Sequence, residues 1–152
     1  MRLPYGVTGF WMAGQAVLPE IDQREFRSVC HTAARLTSGW VTCTVPAGWT
    51  RSFVAVSIAY RDHGRAVLCN LSLPLVAVAE PIGPDEVVPV FVCDPQLTEV
   101  ISCISQFRVL TPTELATPLA ECDLSELGEA ELAQIRYWKP ETVGETVFNW
   151  WD

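Results

Sequence analysis

A chain of 152 residues suits one domain and is long enough to bury about two thirds of the surface that its unfolded form exposes. Hydrophobic residues make up 49% of it and charged residues 18%, which argues against disorder, and no apolar run approaches the roughly 18 residues of a membrane span. A net charge of −8 opposes binding to nucleic acid or anionic lipid, whose phosphates carry the same sign.

Residues 3–18 mix Tyr5, Val7, Phe10 and Trp11 with Gly6, Gly9 and Gly14, which predicts an extended segment or a short edge strand. A helix follows. Asp22 is placed to cap it, Glu25 stands three residues on as in a capping box, and Ile21 can staple against Phe26. Phe26, Val29, Cys30, Ala33 and Leu36 then recur at helical spacing, and Gly39 is the expected stop.

The middle of the chain reads as sheet. Residues 40–45 are uniformly β-prone, residues 52–60 are rich in Phe, Val, Ile and Tyr, and Asp62-His63-Gly64 is hairpin grammar leading into residues 65–71. Residues 75–79 and 90–93 complete four or five strands, mostly antiparallel because their connections are short. The proline-rich segment between them predicts a loop carrying Asp85 and Glu86.

Helical periodicity returns after Asp94-Pro95, a cap followed by a first-turn proline, with Leu97, Val100, Ile101, Ile104 and Phe107 (or Cys103 in its place) on one face, and the β-branched residues here also allow a strand. Thr111-Pro112-Thr113-Glu114 opens a short helix to about residue 122. Asp123 is read as the cap of the next helix, which runs through Leu124, Leu127, Leu132, Ile135 and Trp138. Residues 141–151 form a last short helix with Val143, Val147, Phe148 and Trp151 inward. The expected fold is a single α+β domain: an N-terminal helix, a four- to five-stranded mostly antiparallel sheet and a helical C-terminal half.

Chemical signatures are sparse. With only His31 and His63, no C-x-x-C and no H-E-x-x-H, neither a metal site nor any other cofactor is expected. Adjacent Cys30 and His31 point about a hundred degrees apart on a helix and do not share an ion. No G-x-S-x-G elbow or glycine-rich phosphate loop is present, which leaves Cys30 or Cys93 with His63 as the one nucleophile–base pairing to consider. Most of the six cysteines sit in apolar company and are expected to be reduced core thiols. Arg2-Leu3-Pro4-Tyr5-Gly6 begins no continuous apolar leader, so the expected location is cytoplasmic.

The charge is unevenly divided. Residues 1–65 carry seven arginines against four carboxylates, whereas residues 66–152 carry three basic residues against fourteen carboxylates. Concentrated negative potential favours a basic protein partner and disfavours nucleic acid and membrane. The expected contact residues are Asp85 and Glu86 on the proline-rich loop, with Glu121, Asp123, Glu126 and Glu129 around the last long helix. Three of the six tryptophans fall in the final fifteen residues, either closing the core or offering an aromatic anchor to a partner.

The two ends, Leu3-Pro4-Tyr5-Gly6-Val7-Thr8-Gly9-Phe10-Trp11 and residues 138–152, resemble those of small bacterial proteins. In format (small, acidic, α+β, without a catalytic signature) the chain is similar to immunity proteins of bacterial toxin systems. That resemblance implies a non-catalytic inhibitor of a cognate toxin and transfers no residue roles. The alternatives are an acidic protein resembling a secretion chaperone and a small enzyme whose site has no sequence signature.

Overall fold

The Asp22 side chain accepts hydrogen bonds from the Arg24 and Glu25 N–H groups and so starts α1, Gln23–Leu36. The helix ends in a left-handed turn at Ser38 (φ 64°), where the Gly39 N–H reaches back to the Ala34 carbonyl at 2.8 Å. Gly39 has a separate duty: a β-carbon there would stand 2.7 Å from the Tyr60 ring and 2.8 Å from the Ala59 carbonyl oxygen. The computed structural model describes residues 1–48, 50–83 and 88–151.

Four strands follow as an antiparallel meander: β1 (Trp40–Val45), β2 (Phe53–Ala59), β3 (Gly64–Asn70) and β4 (Leu75–Ala79). Helix α2, Pro95–Ile104, then crosses over to β5, Arg108–Val109, which pairs parallel to β4. The sheet is thus five-stranded and mixed, in the order β1-β2-β3-β4-β5. Residues 90–93, expected as a strand, make only an isolated bridge at Phe91 to Ala79; the fifth strand is instead the two residues just after α2.

Both faces of the central strands are covered. Val54, Val56, Ile58, Val67, Cys69, Val76 and Val78 face α1 and α2, packing on Phe26, Cys30, Leu97 and Ile101. The alternate residues, Phe53, Ala55, Ala66, Leu68, Ala77 and Ala79, face a second layer containing Leu3, Val7, Leu110, Leu115, Val143, Val147 and Phe148. That layer is built from α3 (Pro112–Leu115), a 3₁₀ turn (Leu119–Glu121), α4 (Glu129–Trp138) and α5 (Val143–Val147). Pro118, which lacks an N–H, stands between α3 and the 3₁₀ turn where one continuous helix was expected. Asp123 caps no helix; its side chain accepts the Ser125 N–H, and α4 starts only after Gly128.

The amino-terminal segment is not a strand. It turns through Gly6 (φ 91°) and Gly9 (φ 81°) and wraps around a buried carboxylate. Glu131, fully buried, accepts the N–H groups of Gly6, Thr8 and Gly128 at 3.0–3.1 Å and the Thr8 hydroxyl at 2.8 Å. Buried Asn149 extends this network, donating to the carbonyls of Thr8 and Thr146, while its own N–H donates to the Ser52 hydroxyl. Asn70 donates to the carbonyls of Val7 and Val147. Glu131, Asn149, Asn70 and Ser52 are therefore all bonded, which is what makes their burial tolerable; among the described residues the Gln15 side-chain oxygen is the buried exception.

Of the six thiols, all free, only Cys30 and Cys69 are buried; Cys43, Cys93 and Cys103 are exposed, contrary to the expectation of core thiols. Cys43 points outward on the edge strand β1, of which only Val41 and Val45 pack against the core, and Cys93 lies outside any strand. No helix among the described residues is long and apolar enough to cross a membrane.

Candidate functional site

Three surface features carry chemistry. The first is an acidic ridge along residues 121–129, where Glu121, Asp123, Glu126 and Glu129 are all exposed. The ridge is not purely anionic. Arg2 donates from Nε to Asp123 at 2.9 Å and lies 3.5 Å from the Glu126 carboxylate. The same two segments join through the backbone, Leu3 N–H to Asp123 O and Asp123 N–H to Met1 O. Hydrogen bonds from Ser125, and then the Arg2 guanidinium, hold the Asp123 carboxyl down at about 2. Glu121 and Glu129 have no cationic partner among the described residues. Asp85 and Glu86 lie outside the described residues.

An aromatic shelf begins at the opposite end of α4, about 15 Å away along a ten-residue helix. Trp151 is buried, with its ring parallel to that of Trp138 (6.4 Å, 7°) and tilted against Phe10 (5.9 Å, 31°). Tyr137 meets Trp138 edge-on at 5.2 Å. Tyr137 remains 76% exposed, Trp11 48% and Trp138 36%. The tryptophan-rich end is thus divided: Trp151 is buried against Trp138 and Phe10, whereas Trp138 is left facing outward.

The third feature is a hollow of about 500 Å³ between the end of α1, the β2–β3 turn and the start of α2. Tyr60 stacks on His63 at 4.7 Å, and His63 Nδ1 lies 2.7 Å from an Asp62 carboxylate oxygen. The hydrogen bond to His63 lowers the Asp62 carboxyl below its usual range. Arg65 donates to Asp94 at 3.1 Å, and the exposed Cys93 lines the same hollow. Of the two cysteines paired with His63 on paper, Cys30 is withdrawn into the core, where burial pushes its thiol up to about 12. Arg51, Arg61 and Arg65, close in sequence, do not form one basic patch. Arg51 precedes β2 and the others flank its far end, about 23 Å away for a seven-residue strand. Among the described residues no group of three His, Cys, Asp or Glu side chains is placed to share a metal ion.

Sequence reasoning missed Glu131 and the polar network it anchors. Its one signal is a glutamate at the third position of a helix that begins with glycine. The fold and these features define an α+β protein whose mixed sheet is sandwiched between a two-helix layer and an irregular helical layer. No protein-family model, curated protein or solved structure matches the chain.

Proposed function

We propose that this protein is a non-catalytic binding protein that neutralises a basic protein partner, as an immunity protein does to its cognate bacterial toxin. The observation that carries the reading is the composition of α4 and its surroundings: exposed acids at one end, and an exposed shelf of Trp138 and Tyr137 at the other. Partly exposed aromatic side chains on a rigid helix make low-entropy anchors, and they slow dissociation once docked. Carboxylates beside them steer a cationic surface and speed encounter. Glu121 and Glu129 do most of the steering, since Arg2 already holds Asp123 and lies close to Glu126.

The test is kinetic, with the product of the neighbouring gene as the candidate partner and surface plasmon resonance at two salt concentrations. Glu121→Lys with Glu129→Lys should lower the association rate about tenfold and flatten its salt dependence. Trp138→Ala should instead raise the dissociation rate by about tenfold or more. Failure of the wild-type protein to bind, or unchanged kinetics in both variants, overturns the reading.

A second reading rests on the hollow at the β2–β3 turn, where His63 and Cys93 line one space and Asp62 fixes the imidazole. In that reading the protein is a small enzyme with Cys93 as nucleophile and His63 as base. Iodoacetamide alkylation of Cys93 at pH 7 separates the two. A tenfold or greater fall on His63→Ala supports the enzyme, and an unchanged rate dismisses it.

A further inference from the structure

A second hollow, also about 500 Å³, opens between the amino-terminal turn and the start of β2, away from the acidic ridge. Its floor is polar and rigid. Ser52 and Asn149 are 5% and 3% exposed, and the Ser52 hydroxyl donates to the Val147 carbonyl at 2.9 Å while accepting the Asn149 N–H. Phe10 and Trp151 supply an aromatic wall. The remaining feature is Arg51. Its backbone is fixed by a bridge to Trp150, and its guanidinium carbon lies 4.1 Å from the centre of the Trp150 ring.

Among the described residues no carboxylate oxygen lies within 4.0 Å of Arg51; the same is true of Arg24, Arg27, Arg35, Arg61 and Arg136, but Arg51 is the one of these that lines this hollow. Partial burial also lowers its pKa, as expected of a cation that has shed water with no counter-ion among the described residues. A half-buried guanidinium held over an indole keeps donors available for one planar anion, which it can grip with two parallel hydrogen bonds. The surrounding field selects among anions. The protein carries −8 overall, and Glu20 also lines the hollow, so a singly charged carboxylate is accommodated better than a doubly charged phosphate.

We propose that this hollow is a binding site for a small monocarboxylate with a flat apolar body, of the arylacetate class, its carboxylate on Arg51 and its ring against Phe10 and Trp151. The preformed floor and wall mean that little of the protein has to be ordered on binding.

Phenylacetate is the probe, and 2-phenylethanol is its neutral counterpart, both titrated into ¹⁵N-labelled full-length protein and followed by heteronuclear NMR. Phenylacetate should produce saturable shifts centred on the Arg51 side-chain N–H and the Trp150 and Trp151 indole N–H groups, with 2-phenylethanol at least about tenfold weaker. Arg51→Gln should weaken phenylacetate about tenfold, while Glu20→Gln, which removes the competing charge, should tighten it about two- to threefold. Arg51→Lys keeps the charge without the fork and serves if Arg51→Gln does not fold; it should also weaken binding several-fold. Non-saturating shifts, equal affinity for acid and alcohol, or a Glu20→Gln variant no tighter than wild type overturn the proposal.

Discussion

Replacing the Glu131 carboxylate by the isosteric amide isolates what its charge contributes, because glutamine keeps the volume and turns half of an all-acceptor group into a donor. Three backbone N–H groups and one hydroxyl point at that carboxylate from two segments far apart in the chain. Hydrogen bonds to charged groups are worth about 1.5–3 kcal/mol each, and an N–H facing an amide N–H loses its bond outright. Glu131→Gln should therefore cost about 3 kcal/mol and lower Tm by roughly 10 °C in a melt followed by circular dichroism. Thr8→Val, which removes one hydroxyl donor from the same carboxylate, should cost less, about 1 kcal/mol. At Asp123 the question is pH. Its folded-state carboxyl is held at about 2, below the usual value near 3.9, so its stabilising effect is fully present above pH ~4. That effect is lost as the pH falls through 2. A carbon-detected NMR titration should find this low midpoint, and Arg2→Ala should raise it only partway, because the Ser125 hydrogen bonds are the larger cause.

Elements that carry their own start and stop signals were legible before the fold was known. The Asp22 cap opened α1, Asp62-His63-Gly64 made the β2–β3 turn, and the Thr111 side chain caps α3 by accepting the Glu114 N–H. What escaped was set by partners distant in sequence. Arg108–Val109 is a strand only because β4 offers it a parallel edge, and two residues show no alternation to read. Helix α4 begins late because Glu131 reaches back to Gly128 while Gly128 itself passes close to Tyr5; a β-carbon there would sit 2.8 Å from the Tyr5 ring. Helix α5 makes the same point at Gly144. Alanine favours a helix by about 1 kcal/mol over glycine, yet a β-carbon at 144 would stand 2.6 Å from the Phe91 ring. Gly144→Ala should therefore destabilise the protein by about 1–3 kcal/mol in urea unfolding, the reverse of what propensity alone expects.

At the scale of the molecule, the lengthwise division of charge becomes a division between layers. The C-terminal acids at 121–129 ride on the layer opposite α1 and its arginines Arg24, Arg27 and Arg35. The candidate site was legible only in this: Glu121, Asp123, Glu126 and Glu129 share one exposed ridge, whereas Glu131 is buried in the polar network. The arginine that tempers them was not legible, since Arg2 lies 121 residues from Asp123 and only the folded chain joins them. If the binding reading holds, Arg2→Gln should raise the association rate for a basic partner about two- to threefold by unmasking two carboxylates, measured in the same kinetic assay.

The stitching of Thr8, Ser52 and Asn70 to residues 146–149 also bears on the order of synthesis. A nascent chain that has emerged only as far as α4 has completed the meander but leaves one side of it without Val143, Val147 and Phe148. Such an intermediate leaves Phe53 without Phe148, its edge-on partner, and part of that apolar face uncovered, which favours aggregation until α5 has emerged.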